Sequence, residues 1–204
     1  MTGRKIVITG GAGFVGSLLG RELSADGNDV TLIDNLSFGY IENIRPDGQA
    51  FANFVEDDIR TMDLVAALKD TDCVFHLAAI SALPVCQGDP GLAFDVNVGG
   101  TAKVLEAARR AGVRRVVFAS TSAVYENNKT FPCNEDDEGS PTLVYAQTKQ
   151  ASERLCKSFT ELYGIEVAIT RYYNVYGPNQ DIRRKSPPFV AYVIRELLAG
   201  RSPV

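Results

Sequence analysis

Six short β-branched runs alternate with longer helical stretches, and this alternation constrains the fold more than any other feature of the chain. Lys5–Thr9, Asp29–Ile33, Ala52–Val55, Cys73–Leu77, Arg115–Ala119 and Glu166–Thr170 read as strands. They are near-continuously apolar, as strands covered on both faces must be, and the segments between them are long enough for crossover helices. Phe14–Ala25, Met62–Leu68, Leu92–Ala111, Leu143–Tyr163 and Pro188–Ala199 are the predicted helices, with Gly112 and Gly164 closing two of them. The pattern predicts an α/β, doubly wound parallel sheet with helices on both faces.

The first strand runs into Thr9-Gly10-Gly11-Ala12-Gly13-Phe14-Val15-Gly16. That order of strand, glycine-rich turn and helix start is the one a Rossmann-type nucleotide site needs. Gly10 permits the tight turn, Gly13 lets the backbone approach a pyrophosphate, and Gly16 allows close packing of helix on strand. The helix start, with Phe14 and Val15, turns its free amides and dipole toward an anion. The second strand runs into Asp34, where a carboxylate accepts hydrogen bonds from ribose hydroxyls and repels a 2′-phosphate. Asn35-Leu36-Ser37 brings no arginine or lysine, so NAD is favoured over NADP. Asp58-Ile59 follows the third strand. His76-Leu77-Ala78-Ala79 closes the fourth, where small alanines let a flat cofactor cross the strand ends. His76 itself reads as structural.

Composition removes several other classes. At 204 residues the chain buries one sizeable core, and its net charge of −4 is spread without basic blocks, so neither nucleic acid nor a membrane is expected as a partner. No stretch approaches the roughly 18 apolar residues of a span, and MTGRKIVITG does not read as a signal peptide. Cys73, Cys86, Cys133 and Cys156 lack CxxC spacing and fit a reducing cytoplasm. With His76 the only histidine, no metal site and no Ser-His-Asp hydrolase is expected.

The fifth strand ends in Ser120-Thr121-Ser122-Ala123-Val124-Tyr125, and Tyr145-Ala146-Gln147-Thr148-Lys149 opens a helix. Tyr145 and Lys149 are four apart and share a helical face. An ammonium beside a phenol lowers its pKa and makes it a usable acid and base near neutral pH. A hydroxyl from Thr121 or Ser122 completes the set. The polar, turn-rich segment 126–142 reads as a surface excursion beside the site, its acidic run Glu135–Glu138 a solvated face.

Together the glycine turn, Asp34, Asp58, HLAA, Asn97, STSAVY, YAQTK and Arg171-Tyr172-Tyr173-Asn174-Val175-Tyr176-Gly177-Pro178 resemble the extended short-chain dehydrogenase/reductases, specifically the NAD-dependent sugar-nucleotide epimerases and dehydratases. The resemblance runs the length of the chain. It implies a tightly held NAD, Tyr145 as base, Lys149 binding the nicotinamide ribose and tuning Tyr145, and Thr121, with Ser122 a close competitor, as proton partner. It also implies Asn97 on the cofactor side, Tyr173 beside the nicotinamide and Asn174 on the substrate diphosphate. Other readings of these stay open: Asn97 as a cap inside a long helix, Tyr172 and Tyr173 as core aromatics.

Within the family, dehydratases carry an Asp-Glu pair after the catalytic threonine, and decarboxylases a glutamate. Ser122-Ala123 stands there in this chain, so the resemblance implies epimerisation of a UDP-sugar through a transient 4-keto sugar. Two residues depart from the family pattern: Glu126 replaces a glycine after Val124-Tyr125, and Cys86 stands where a serine is common. Relatives continue for about another hundred residues, the size of a small domain. The expected organisation is an NAD-binding domain over 1–174 carrying the catalytic residues and an incomplete substrate-binding region over 175–204, whether the chain is truncated or naturally short. A non-catalytic NAD-binding module, or an NDP-sugar dehydratase or other sugar-nucleotide oxidoreductase, is the alternative. By analogy a homodimer forms through the helices Leu92–Ala111 and Leu143–Tyr163.

Overall fold

The six runs form one wholly parallel sheet. In the computed structural model, which describes residues 2–183 and 187–203, the strands are β1 (Lys5–Thr9), β2 (Asp29–Asp34), β3 (Asn53–Glu56), β4 (Cys73–His76), β5 (Arg115–Thr121) and β6 (Glu166–Tyr172). Their spatial order is β3-β2-β1-β4-β5-β6. The order reverses between β1 and β4, which opens a crevice at the carboxyl edge of the sheet, where Thr9 pairs in register with His76.

Alternation along β1 divides the core. Ile6 and Ile8 face one side with Val30, Leu32 and Ile44, whereas Val7 faces the other with Val74, Val116 and Phe118. Both faces are therefore buried, which is why these strands carry so little polar alternation. The edge strand β3 is the exception, short and mostly exposed.

The helices are α1 (Phe14–Ala25), α2 (Ile41–Ile44), α3 (Leu64–Ala67), α4 (Leu83–Gly88), α5 (Pro90–Phe94), α6 (Gly100–Ala111), α7 (Val144–Tyr163) and α8 (Phe189–Leu198). α3 is a single turn, shorter than Met62–Leu68, because the Asp63 carboxylate accepts the Ala66 N–H and caps it. α2 and α4 escape the sequence reading because neither is long enough to show a helical period. The expected helix Leu92–Ala111 instead starts at Pro90, capped by Asp89, and is interrupted by a π-helical turn over Asp95–Gly99. The Asn97 carbonyl in that turn accepts the hydroxyls of Thr101 (2.5 Å) and Ser152 (3.0 Å).

The chain divides into two compact units, residues 1–173 and 174–204. The first holds the sheet. In the second, α8 ends where Glu196 receives the Arg201 guanidinium through both oxygens (2.6 and 3.0 Å). Of the region foreseen over 175–204, residues 184–186 and 204 lie outside the described residues. No helix among the described residues is long and apolar enough to cross a membrane.

Candidate functional site

The carboxyl edges of β1, β2 and β4 meet at the glycine turn. Gly10 takes a positive φ of +74° and packs so closely on β4's extension that a Cβ there would lie 2.7 Å from the Ala78 nitrogen. A Cβ on Gly16 would lie 2.2 Å from the Gly10 carbonyl oxygen. These two glycines are required by the protein's own packing. Gly13 differs: its φ is an ordinary −73°, and a Cβ there would meet only the Gly10 oxygen at 3.2 Å. No side chain caps the N-terminus of α1, so the amides of its first turn, at Phe14, Val15 and Gly16, have no partner within the helix.

Asp34 ends β2 beside this turn. One carboxylate oxygen accepts the Ala12 N–H (3.0 Å) and the other the Leu36 N–H (2.8 Å), which leaves each oxygen a further lone pair. Burial raises the Asp34 pKa against the lowering effect of those two amides. The Asn35 amide donates to Asp58 (3.0 Å), and the Arg60 guanidinium clamps the same carboxylate, holding Asp58 well below the usual carboxylate range. Arg60 also reaches Asp95 (2.9 Å) at the start of the π-helical turn. The Ile59 side chain is buried in the core, so only its backbone remains for the crevice.

Leu77 and Ala78 lie against β1, their amides donating to the Thr9 carbonyl (3.0 Å) and hydroxyl (3.4 Å). Behind them His76 is buried. The Thr101 hydroxyl donates to the Asn97 carbonyl, so its oxygen accepts from His76 Nε2–H (3.0 Å), and Nδ1 accepts from the Thr9 hydroxyl (2.7 Å). This network assigns the tautomer, and desolvation pushes the imidazole down to about 3, with Lys149 adding to the effect. His76 is a neutral structural residue, as its sequence position suggests.

Asn97 sits beneath the crevice rather than in it. Its side chain is buried, accepts the Ile80 N–H (2.8 Å), and donates to the Ile80 carbonyl (3.0 Å) and the Thr148 hydroxyl (3.0 Å). Both amide hydrogens are used, so the side chain braces the backbone at Ile80.

At the end of β5 the Thr121 hydroxyl caps a single 3-10 turn, Ser122–Tyr125, accepting the Ala123 N–H (3.2 Å), and it stands beside the Tyr145 phenol, whose pKa it lowers. Of the two hydroxyl candidates, Thr121 is therefore the one brought to Tyr145. Lys149 is buried one turn along α7. Its ammonium donates to the Ala119 carbonyl (2.8 Å), stands over the Phe118 ring (4.8 Å), and is pushed down by burial to about 8. The expected lowering of the Tyr145 pKa is not found. Burial raises it, with the Thr121 hydrogen bond acting in the opposite sense, because the ammonium is directed to the main chain of β5 and not to the phenol.

Beneath this pair lies a buried cluster that the sequence reading passed over. Glu153, four residues after Lys149 and so on the same face of α7, receives the Ser120 hydroxyl and a two-pronged contact from Arg171 (3.0 and 2.8 Å). The helical spacing Tyr145, Lys149, Glu153 was the available signal. Arg171 also donates to the Glu135 carbonyl (3.0 Å) and stacks on the Tyr125 ring. Tyr173 is 67% exposed, which removes it from the core aromatics. Asn174 begins the second unit.

A family model described as the NAD dependent epimerase/dehydratase family matches residues 6–204. The chain belongs to that family. UDP-glucose 4-epimerase from Mycolicibacterium smegmatis is 38% identical to this family member over 202 residues, covering 97% of the chain and 64% of the relative. Among solved structures, UDP-N-acetylglucosamine 4-epimerase from Methanobrevibacter ruminantium in complex with UDP-N-acetylmuramic acid superposes with a TM-score of 0.94 at 36% identity, covering 99% of this chain and 65% of that one. Thermus thermophilus UDP-glucose 4-epimerase in complex with NAD gives a TM-score of 0.86 at 36% identity, covering 97% and 63%. This epimerase/dehydratase chain thus spans just under two thirds of the length of these relatives.

Proposed function

We propose that this chain carries the cofactor and proton-transfer half of an NAD-dependent UDP-sugar 4-epimerase. The observation that carries the reading is the convergence of Thr121 at the end of β5 with Tyr145 and Lys149 on one face of α7, beside a glycine turn and an Asp34 whose geometry fits NAD. The fit rests on the uncapped amides of α1, the absence of a side chain at Gly13 and the remaining lone pairs of Asp34.

In this reading Gly10, Gly13, Phe14, Val15 and Gly16 would hold the pyrophosphate of NAD, and Asp34 with Asn35 would hold the adenosine ribose. Asp58, Ile59, Leu77, Ala78 and Ala79 would line the rest of the cofactor site, with Asn97 bracing the 77–80 segment. Tyr173 would serve the nicotinamide end. Bound NAD supplies reversible oxidation of the sugar C4 carbinol. Tyr145 takes the C4 hydroxyl proton and returns it, and Thr121 relays that proton and orients the substrate oxygen. Lys149 binds the nicotinamide ribose and favours the ionised phenol when its ammonium turns from Ala119 toward it. Ser122 stands next to Thr121 as the substitute hydroxyl, and Asn174 contacts the diphosphate. Ser122-Ala123, without acidic groups, favours epimerisation over dehydration. Residues 1–174 form the cofactor and catalytic domain, 175–204 a partial substrate region. A homodimer through α6 and α7 accompanies this reading.

Absorbance spectra of the purified chain, with and without UDP-glucose and UDP-galactose, test it. A bound-nucleotide signal that gains an NADH band on sugar addition, and loses that response but not the nucleotide in Tyr145→Phe, is the expected result. Bound NAD with no response to sugar in this chain or in a longer version carrying about a hundred further residues would overturn it.

A further inference from the structure

The residue that departs from the family's glycine after Val124-Tyr125 joins the two halves of the proton-transfer pair. Glu126 closes the 3-10 turn that Thr121 opens, its N–H donating to the Ala123 carbonyl (3.1 Å). Its side chain crosses to the start of α7. One carboxylate oxygen accepts the Thr142 N–H (2.8 Å) and the Leu143 N–H (3.3 Å), and the other accepts the Thr142 hydroxyl (2.6 Å). Leu143, the residue preceding α7, has no capping side chain, and Tyr145 is only the second residue of the helix. Glu126 therefore holds the two residues that lead into α7, while Gln87 Oε1 accepts the Val144 N–H (3.4 Å) of its first turn, and a carboxylate at that end also suits the dipole of a 20-residue helix.

The surrounding contacts make the link stiff. The Glu126 carbonyl accepts the Ser140 N–H (3.0 Å), and the Asn127 amide donates to the Ser140 carbonyl (2.9 Å). Gly139 lies flat on the 3-10 turn, where a Cβ would stand 2.1 Å from the Val124 oxygen, and Gln150 of α7 donates to its carbonyl (2.9 Å). Segment 126–142 is thus stitched to β5's end and to α7 at once. Thr121 and Tyr145 sit at the two ends of a short path: one 3-10 turn, the Glu126 carboxylate, and the first residues of a helix.

Resting on the proton-transfer reading above, we propose that Glu126 is a positioning residue that sets the distance between the Thr121 hydroxyl and the Tyr145 phenol. Without its carboxylate the start of α7 loses one of its holds on the end of β5, and the two hydroxyls move apart. A glutamine can reproduce the contacts, its oxygen accepting the two amides and its NH2 group donating to the Thr142 hydroxyl. An alanine cannot.

The test reads Tyr145 directly. Ultraviolet difference titration of the full chain against Tyr145→Phe isolates this phenol from the other tyrosines, and the same subtraction is made in the Glu126→Ala, Glu126→Gln and Thr142→Val backgrounds. We expect Glu126→Ala to raise the Tyr145 pKa, Glu126→Gln to restore it, and Thr142→Val, which deletes one of the three contacts, to give a smaller shift of the same sign. If the chain turns over UDP-sugar, Glu126→Ala should lower kcat about tenfold, as a misplaced group does, with KM within about twofold. An unmoved Tyr145 titration in Glu126→Ala, or in Thr142→Val should the alanine variant not fold, would overturn the assignment and leave Glu126 a stability cap. The titration needs no substrate, so failure of the epimerase reading would appear separately, as a missing NADH band with the Tyr145 shift intact.

Discussion

Glu153 and Arg171 are locked carboxylate to guanidinium across the α7–β6 interface, with side chains only 5% and 14% exposed. The pair contacts neither the glycine turn nor Tyr145, yet it joins β5 through Ser120, the 3-10 turn through the Tyr125 ring, and segment 126–142 through the Glu135 carbonyl. It is the tie that holds the end of β5 against α7.

Breaking that pair from one side strands a buried charge. Glu153→Ala is expected to destabilise the fold by about 3–5 kcal/mol, whereas replacing both partners by methionine costs markedly less than the sum of the single changes. Denaturant unfolding of the two single variants and the double variant measures this. Additive losses would mean that the two residues are not coupled.

His76 makes stability depend on pH. Its folded pKa of about 3 lies below the 6.5 of a free imidazole, so the unfolded chain binds more protons between those values. Stability is complete above pH 6.5 and is lost as pH falls toward 3. From pH 7 to pH 5 the loss due to this residue is about 2 kcal/mol, at 1.36 kcal/mol per pKa unit. Unfolding free energies measured over that range should fall more steeply in the wild type than in His76→Asn, and equal slopes would refute the assignment.

Gly13 and Gly16 should separate binding from folding. Gly16→Ala forces a Cβ into the Gly10 carbonyl, and strain of this kind costs at least about 1–3 kcal/mol. Gly13→Ala has an ordinary φ and brings its Cβ only to 3.2 Å from the Gly10 oxygen, so its melting temperature should fall less than that of Gly16→Ala while NAD affinity falls about tenfold or more, equivalent to about 1.4 kcal/mol or more. Paired melting and NAD titrations decide it, and a Gly13→Ala variant that binds NAD normally would move the pyrophosphate elsewhere.

In the proposed function Asp34 sets the choice of dinucleotide. Asp34→Ala removes the ribose acceptor and the repulsion of a 2′-phosphate, so NAD binding should weaken and the preference over NADP should narrow. Titration with both dinucleotides checks the ratio. An unchanged ratio would remove Asp34 from the ribose site.

The sheet was legible because its four inner strands, β2, β1, β4 and β5, carry buried apolar runs, and the edge strands β3 and β6 share the short β-branched pattern. All six strands appear within two residues of the expected ends, and β1 and α1 match at both. Period and capping together made the long helices readable, but the π-helical turn inside Leu92–Ala111 was not. Its cause is remote: the side chain of Asn97 is held by Ile80 and Thr148, and its carbonyl by Thr101 and Ser152. The glycine turn, Asp34 and the Tyr145–Lys149 spacing could be read because each is a local pattern with a local physical reason.

By itself the sequence determined the order of strands and helices, the glycine-rich turn and the residue types at the proposed proton-transfer centre, since period, φ requirements and short spacings are properties of neighbouring residues. Only the tertiary structure decided what those residues do to one another. It chose Thr121 over Ser122 as the partner of Tyr145, turned Lys149 onto the Ala119 carbonyl, and gave Glu126 a place at the head of α7. Such outcomes depend on desolvation and on hydrogen bonds between segments far apart in the chain, and no local pattern encodes which distant group will arrive.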